Sequence, residues 1–307
     1  TFGPSSNNLL ASSWDSCVYL YDAGANVRLA SFPCKAAVLD CCFWDPQHGF
    51  CGGLDRSLKM FDFNNGSESV LGSHNGAIRC VEFSLHSGLV FTGGWDGQML
   101  AWDPRSPSPC VQSLPQPGKV FTMALSDNRV VVGTSGRQVV TYDMRRLTAG
   151  PETQRESSLK YQTRVIRCFN DRTGYALGSI EGRVAVEFFD PSPEAQAKKY
   201  AFKCHRTADT IFPVNAMAFH PIFGTFATGG CDGIVNVWDG QNKKRLSQFP
   251  KYQTGISSLA FNHDGSLLAI AVSYTFEQGE IEHPEDTIVI RLVSDSDVRQ
   301  KPVNVRK

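Results

Sequence analysis

The sequence has no excess of charge of either sign, because 30 Lys and Arg residues balance 30 Asp and Glu residues over 307 positions. Disordered chains combine low hydrophobicity with high net charge, whereas 41% of these residues are hydrophobic. The missing basic excess also argues against nucleic acid as a partner. No stretch approaches the roughly 18 apolar residues of a membrane span. We therefore expect a soluble globular protein without a membrane partner.

Signals for catalysis, metal binding and secretion are missing as well. The ten cysteines form no C-x-x-C pair, which removes the strong zinc and redox-motif signals. There is no G-x-S-x-G segment and no P-loop, so we predict neither an enzyme nor a cofactor nor a metal site. The chain has no signal-peptide core, and it begins at Thr1 rather than at an initiator Met, which predicts a trimmed chain. Cysteines in apolar segments behave as small hydrophobic residues and indicate a cytosolic or nuclear protein.

A repeat of about 40 residues organises the chain. An aromatic–Asp pair ends an alternating apolar segment six times, and its acidic residues are Asp22, Asp62, Asp103, Asp143, Asp190 and Asp239. WD repeats have this pattern, with roughly 40–45 residues for each four-stranded blade. We predict an all-β, seven-bladed WD-repeat β-propeller that forms one domain over residues 1–307. Its approximate units are 1–22, 23–62, 63–103, 104–143, 144–190, 191–239 and 240–293, followed by a tail at 294–307.

Two histidines stand at the start of a unit and could be mistaken for catalytic residues. His74 leads the unit that contains Asp96 in a turn and Trp102 at its end. In the WD-repeat family such residues form a hydrogen-bonded chain inside a blade, so we interpret the His74–Asp96 pair as structural. The sixth unit repeats the pattern with His205, Asp232 and Trp238. Cys204 beside His205 supplies too few ligands for zinc.

The sequence leaves open how the last blade is completed. Residue 1 falls within the expected inner strand of the first unit. The missing outer strand would therefore come from the tail Val298–Lys307 or from a segment absent from this sequence.

Two tryptophans occupy the turn position directly before the acidic turn residue. These are Trp14 in the first unit and Trp95 in the third. The turn Asp and the leading His must meet, so this position lies on the same face as both. An exposed aromatic side chain is costly unless a partner covers it, and Trp is enriched at binding hot spots. The alternative is that each indole packs on a neighbouring blade; we favour a groove for a partner.

Charge is segregated along the chain although its total is zero. Residues 155–206 contain ten Lys and Arg against six Asp and Glu, whereas residues 272–298 contain seven acidic residues against one Arg. Several of the basic residues fall in turns on the Trp-bearing face: Arg164, Arg183, Lys203 and Arg206. Guanidinium groups bind carboxylate or phosphate in bidentate fashion. This pattern predicts an acidic or phosphorylated peptide ligand, with a solvated face of mixed charge as the alternative.

Six stretches resemble the spindle-assembly-checkpoint WD-repeat family, the third member of the budding-uninhibited-by-benzimidazole group. They are Ser157–Arg164, Ser179–Glu187, Asp190–Glu194, Lys199–Arg206, Phe212–Ala216 and His283–Asp286. A sister family, the messenger-RNA export WD-repeat factor, shares Glu-Gly-Arg-Val-Ala and Phe-Lys-Cys-His-Arg. The stretches Asp190–Glu194 and His283–Asp286 fit the checkpoint family better.

The resemblance implies a non-catalytic adaptor that recruits checkpoint proteins to kinetochores. Its implied partners are the GLEBS-type motifs of checkpoint kinases and pseudokinases, phosphorylated Met-Glu-Leu-Thr motifs of a kinetochore scaffold, and a ubiquitin-ligase regulatory checkpoint complex. The implied location is the nucleus, the kinetochore in mitosis, and also the cytoplasm. The alternative is an export factor that binds a nucleoporin GLEBS-type motif and RNA.

The resemblance also assigns residues to each ligand. The positions expected to hold the GLEBS-type segment are Trp14, Trp95 and Arg164. The positions expected on the phosphate-binding side are Arg183, Lys203 and Arg206. Which of Lys203 and Arg206 contacts phosphate stays open at this stage.

Overall fold

A computed structural model describes residues 1–300, which form antiparallel sheets of three or four strands joined by short turns. These sheets are the blades of a seven-bladed WD-repeat β-propeller. The chain divides into two compact units, Thr1–Cys168 and the part from Phe169 onward. The boundary falls inside the fifth blade, after its first strand. The prediction of one domain over residues 1–307 stays a prediction. In the described part, no helix is long and apolar enough to cross a membrane.

The first unit contains four complete sheets and one further strand. The first sheet consists of β1 Asn8–Ser12, β2 Cys17–Asp22 and β3 Val27–Pro33. The second sheet consists of β4 Val38–Phe43, β5 His48–Gly53, β6 Ser57–Asp62 and β7 Glu68–Ser73. The third sheet consists of β8 Ile78–Ser84, β9 Leu89–Gly94, β10 Gln98–Trp102 and β11 Cys110–Pro115. The fourth sheet consists of β12 Val120–Ser126, β13 Arg129–Thr134, β14 Gln138–Asp143 and β15 Thr153–Glu156. Strand β16 Thr163–Cys168 opens the fifth blade. Two short 3-10 helices, Ser135–Arg137 and Met144–Ala149, flank β14.

The second unit contains the rest of the fifth blade and the last two sheets. The fifth blade continues with β17 Gly174–Ser179, β18 Arg183–Phe188 and β19 Tyr200–Lys203. The sixth comprises β20 Val214–Phe219, β21 Phe226–Gly230, β22 Val235–Asp239 and β23 Lys244–Gln248, and the seventh comprises β24 Ile256–Phe261, β25 Leu267–Val272 and β26 Thr287–Leu292. Helix α1 Pro193–Gln196 lies between β18 and β19, and α2 Asp295–Val298 follows β26.

The repeats seen in the sequence are offset from the blades by one strand. The predicted unit 23–62 contains β3 to β6, whereas the second blade consists of β4 to β7. The outermost strand of each complete blade therefore belongs to the repeat that follows. Residues 1–3 pair with β1 through an antiparallel bridge between Phe2 and Leu9, which places them at the inner edge of the first sheet.

The chain end packs on the sixth blade as far as the structure describes it. The carbonyl of Val298 accepts a hydrogen bond from Thr225 Oγ1 at 2.7 Å, and Val298 is buried in the core shared by the sixth and seventh blades. Ser247 Oγ donates to the carbonyl of Asp297 at 3.0 Å. The rest of the proposed closing tail, residues 301–307, lies outside the described residues. Residues up to 298 therefore add no fourth strand to the seventh sheet.

Neighbouring blades pack through glycines in the second strand of one blade and β-branched residues in the first strand of the next. A Cβ on Gly93 would collide with Val120, and a Cβ on Gly229 would collide with Ile256. The first contact lies in the first unit and the second lies in the second unit. Because no side chain other than hydrogen fits there, inner strands approach closely enough to bury Val120 and Ile256 completely.

Candidate functional site

The turn after the second strand of a blade is tied to the loop that precedes its first strand. In the third blade the amide of Trp95 donates to the carbonyl of Ala77 at 2.8 Å, and in the second blade the amide of Leu54 donates to that of Ala37 at 2.9 Å. The turn and the loop therefore lie at the same end of each sheet. Side chains at the position before the turn Asp are presented at this end.

Two buried hydrogen-bonded chains hold these turns in place. His74 Nδ1 lies 3.1 Å from the Asp96 carboxylate, and His74 Nε2 lies 2.7 Å from Thr92 Oγ1. Trp102 Nε1 donates to the same Thr92 oxygen at 2.7 Å. Burial lowers the pKa of His74, opposed by its hydrogen bond to Asp96. Both ring nitrogens of His74 have hydrogen-bond partners inside the blade, so His74 has a structural role.

The sixth blade repeats this chain with other residues. His205 contacts Asp232 at 3.0 Å and Thr228 Oγ1 at 2.9 Å, and Trp238 Nε1 donates to Thr228 at 2.9 Å. The sequence interpretation named the His, Asp and Trp members but missed Thr92 and Thr228. Both threonines precede the turn Asp by four residues, and this spacing is the signal that could have identified them.

Trp14 is a largely exposed side chain among those proposed to bind a partner. Its side chain is 73% exposed although the turn that carries it is fixed. Asp15 accepts hydrogen bonds from the Cys17 amide at 3.0 Å and from the Tyr19 hydroxyl at 2.6 Å. A rigid turn thus presents an indole to solvent, which is the arrangement expected of a binding hot spot.

Trp95 is partly buried and carries an unused hydrogen-bond donor. Its indole Nε1 is buried and has no hydrogen-bond partner in the part of the chain that the structure describes. The adjacent turn is rigid because the Asp96 carboxylate accepts from the amides of Asn75 at 2.9 Å and Gln98 at 3.1 Å. An unsatisfied buried donor costs about 1–3 kcal/mol. A ligand acceptor could reach this nitrogen only if the groups that cover it moved.

Leu54 occupies the same turn position in the second blade and was missed by the sequence interpretation. It precedes Asp55 as Trp14 precedes Asp15 and Trp95 precedes Asp96. Its side chain is 38% exposed. The first three blades thus carry apolar residues at one repeated position, and we refer to Trp14, Leu54 and Trp95 as the apolar turn series.

Arg164 lies near the start of β16 in the same unit and is exposed. Its strand is anchored to the fourth blade, because the amide of Ile166 donates to Thr122 Oγ1 at 2.9 Å. Among residues 1–300, Arg164 forms no hydrogen bond and no ion pair, and none joins it to Trp14 or Trp95. The three predicted partner-binding residues therefore stand on different blades of the first unit, and the Arg164 guanidinium is available to a carboxylate.

The structure brings the three predicted phosphate-binding residues together in the second unit. Arg183 begins β18 and pairs in register with Lys203 of β19. Arg206 packs over the turn that precedes Arg183, since a Cβ on Gly182 would lie 2.8 Å from Arg206 Cγ. Lys203 and Arg206 both line a pocket of about 300 Å³ with Cys204, Thr207 and Ala208. We refer to Arg183, Lys203 and Arg206 as the basic pocket; Lys203 and Arg206 line the cavity, whereas Arg183 adjoins it through its pairing with Lys203.

The Arg183 guanidinium is only partly neutralised. Its Nε lies 3.7 Å from Glu181 Oε2, and this nitrogen is buried without a hydrogen-bond partner in the described residues. The Arg183 side chain as a whole is 37% exposed, so a phosphate oxygen could form a charge-assisted hydrogen bond with the accessible part of the guanidinium. Lys203 and Arg206 thus give the pocket a positively charged lining. Within residues 1–300, no group of three or more His, Cys, Asp or Glu side chains could hold a metal ion.

The acidic segment between β25 and β26 forms an exposed loop. Phe276 is 60% exposed and contacts the rings of Tyr274 and His283 at centroid distances of 5.3 and 6.1 Å. Glu277 of this loop accepts from Cys231 Sγ at 2.9 Å, which attaches the loop to the turn of the sixth blade.

Comparisons with known proteins identify relatives over nearly the whole chain. The WD domain, G-beta repeat family matches residues 66–103 and 197–239. The mitotic checkpoint protein BUB3.1 of Arabidopsis thaliana is 53% identical over 98% of this chain and 91% of its own length. The mitotic checkpoint protein bub3 of Dictyostelium discoideum is 48% identical over 94% of this chain and 89% of its own length. The spindle assembly checkpoint protein bub3 of Schizosaccharomyces pombe is 37% identical over 88% and 86%.

Proposed function

The chain belongs to the Bub3 family of mitotic checkpoint WD-repeat proteins, and from this premise we propose that it is a non-catalytic adaptor of the mitotic checkpoint. It would act by binding other checkpoint proteins rather than by chemistry. The names of the three relatives described above, all mitotic or spindle assembly checkpoint proteins, favour this function over the export alternative. The adaptor would be nuclear and cytoplasmic and would act at kinetochores during mitosis.

The first ligand of the adaptor would be a GLEBS-type motif of a checkpoint kinase or pseudokinase. This segment would lie across the apolar turn series and contact Arg164. The observation that carries this assignment is the 73% exposure of Trp14 on a rigid turn. Trp95 supports it, because a second indole stands at the equivalent turn position of the third blade. Arg164 would pair with an acidic residue of the motif.

The second ligand would be a phosphorylated Met-Glu-Leu-Thr motif of a kinetochore scaffold. Its phosphothreonine would bind in the basic pocket. Arg183 and Lys203 face each other across paired strands, and Arg206 shares the pocket wall with Lys203. Phosphate carries close to two negative charges at neutral pH, so three cations suit it better than they suit a single carboxylate. Through these ligands the adaptor would join a checkpoint complex that regulates a ubiquitin ligase.

Calorimetry with two synthetic peptides tests both assignments separately. Trp14→Ala should weaken the GLEBS-type peptide by about 2 kcal/mol or more, the loss typical of a hot spot, which is about 30-fold in Kd. Leu85→Ala is the matched control, since Leu85 is 78% exposed but lies in the turn between β8 and β9. Unchanged affinity in both Trp14→Ala and Trp95→Ala would reject the groove.

The phosphopeptide arm uses phosphorylated and unphosphorylated forms of the same sequence. Arg183→Ala should remove the preference for the phosphorylated form while leaving binding of the GLEBS-type peptide intact. Lys244→Ala is the control, because Lys244 is an exposed cation in β23 of the same unit. A preference that survives Arg183→Ala and Arg206→Ala would place the phosphate elsewhere.

A further inference from the structure

The second blade replaces the buried His–Thr pair of the third blade with two cysteines. Cys34 stands four residues before β4, as His74 stands four residues before β8. The amide of Cys34 donates to Ser16 at 2.7 Å, and that of His74 donates to Arg56 at 2.9 Å.

The second cysteine occupies the threonine position. Cys51 precedes Asp55 by four residues, as Thr92 precedes Asp96, and Phe61 takes the place of Trp102. An imidazole and a hydroxyl in one blade thus correspond to two thiols in the next. The two thiols therefore occupy the positions at which, in the third blade, the His74 and Thr92 side chains are in contact.

The two thiols are in direct contact and differ in their access to solvent. Cys34 Sγ lies 3.9 Å from Cys51 Sγ. Cys34 is half-buried, whereas Cys51 is only 2% exposed. A small oxidant can therefore reach Cys34, and the nearest thiol that can react with an oxidised Cys34 is Cys51.

The surroundings favour a thiolate at Cys34. The hydrogen bond from Cys51 lowers the pKa of Cys34 against the effect of burial, and the Lys59 ammonium lowers it further. The same hydrogen bond, together with burial, raises the pKa of Cys51. Lys59 is 3% exposed and lies 3.8 Å from the carboxylates of Asp55 and Glu68, so it is held beneath the pair. Because thiolates are the nucleophiles, Cys34 is the attacking sulfur and Cys51 is the proton donor.

We propose that Cys34 and Cys51 form a redox modification site, a dithiol that a peroxide oxidises to an intramolecular disulfide. The Cys34 thiolate attacks one peroxide oxygen, the O–O bond breaks, and the departing hydroxide takes a proton to leave as water. The sulfenic acid on Cys34 is then attacked by the sulfur of Cys51. The S–S bond forms as the S–OH bond breaks, and a second water leaves with the Cys51 proton. Two thiols are oxidised and one hydrogen peroxide is reduced to two waters.

Other cysteines provide internal controls for this reaction. Burial raises the pKa of Cys41 to about 11 and that of Cys80 to about 12, and both side chains are buried, so neither is a first target of peroxide. Cys110 is exposed, but burial of its sulfur raises its pKa as well. Exposure alone would favour Cys110, whereas the paired geometry favours Cys34.

The test treats the reduced full chain with graded hydrogen peroxide, alkylates the remaining thiols and maps the peptides by mass spectrometry. We expect a peptide that links Cys34 to Cys51 to appear before Cys110 is modified. The free-thiol count of the denatured protein should fall from ten to eight and return to ten with a thiol reductant. Cys110→Ser should leave the linked peptide unchanged. Oxidation of Cys110 first, or of Cys34 to sulfinic acid while Cys51 stays alkylatable, would overturn the proposal.

Two variants separate chemistry from folding. The double variant Cys34→His/Cys51→Thr restores the residue types of the third blade and should keep the wild-type Tm while losing the peroxide-dependent loss of thiols. Cys51→Ser should halt the reaction at a Cys34 sulfenic acid that dimedone traps. No dimedone adduct at Cys34 in folded Cys51→Ser protein would also overturn the proposal. None of these readouts depends on peptide binding, so they can fail or succeed independently of the adaptor function.

Discussion

Substitution of Thr92 by Val tests how much the buried hydrogen-bonded chain contributes to stability. Thr92 is fully buried, and its hydroxyl joins His74 Nε2 to Trp102 Nε1 at 2.7 Å on each side. Since His74 Nδ1 donates to Asp96, its Nε2 must accept the Thr92 proton while the Thr92 oxygen accepts from Trp102. Valine keeps the volume of the side chain but removes both interactions at once.

The expected loss follows from the two groups left without partners. The indole N–H and the imidazole nitrogen would both stay buried, since Trp102 is 2% and His74 5% exposed. Each unsatisfied group costs about 1–3 kcal/mol, so we expect Thr92→Val to lower the free energy of unfolding by about 2–6 kcal/mol. No cavity forms, so no packing loss adds to this value.

Urea unfolding followed by circular dichroism measures this difference from the shift in midpoint at constant slope. Thr141→Val is the matched control, because Thr141 is equally buried in β14 but its hydroxyl does not join a His to a Trp. We expect the control to change stability by less than about 1 kcal/mol. Equal losses in both variants would refute the reasoning, because burial of a Thr would then account for the whole effect.

Three further predictions follow from other parts of the molecule. Burial raises the pKa of Glu82 to about 7, and Arg167 opposes this shift. The stability that comes from protonated Glu82 is fully present below pH 4.5 and is lost as the pH rises through 7. Glu82→Gln should therefore stabilise the protein by about 1 kcal/mol or more at pH 8 and not at pH 4, measured by urea unfolding. Trp95→Phe keeps an aromatic side chain but removes the indole N–H and reduces the apolar surface, and it should weaken binding of the GLEBS-type peptide in calorimetry by about 1 kcal/mol, whereas unchanged affinity would mean that the indole makes no contact specific to Trp in the complex. Gly182 has φ +65°, and in Gly182→Ala the added methyl group would press against Arg206. This variant should destabilise the fold by about 1 kcal/mol or more and should also weaken phosphopeptide binding. Intact binding would show that Arg206 is not positioned by this turn.

The repeat made much of the fold predictable from the sequence. An aromatic–Asp pair that recurs every 40–49 residues indicates the repeat and the ends of the third strands in six blades, because each blade has the same packing requirement. The leading His and the turn Asp could be identified for the same reason. Thr92 and Thr228 could not, since a threonine inside an apolar strand is also simply a good strand former.

The candidate site was predictable by residue type but not by arrangement. The pairing of Arg183 with Lys203 depends on the register of β18 and β19, which is set by a long connection containing α1. The turn position before the acidic residue predicted Trp14 and Trp95, whereas Leu54 was missed because a leucine is less conspicuous than a tryptophan. The buried, unpaired Nε1 of Trp95 depends on how its neighbours pack, which no local pattern records.

The one-strand offset between repeats and blades determines at which positions the polypeptide can be cleaved without dissociation of the two fragments. A protease that cleaves the exposed turn 63–67 breaks the chain between two repeats, but β7 stays hydrogen-bonded to β6 across the cut. Each fragment then contributes strands to one shared sheet, and the nicked protein is held together along a full strand edge. Cleavage near Lys35 instead separates complete sheets, where only side-chain packing and a few backbone bonds join the two sides. A protein cleaved between repeats should therefore elute at the same volume as the intact protein in gel filtration under native conditions. The offset holds successive repeats together through the hydrogen bonds of a shared sheet.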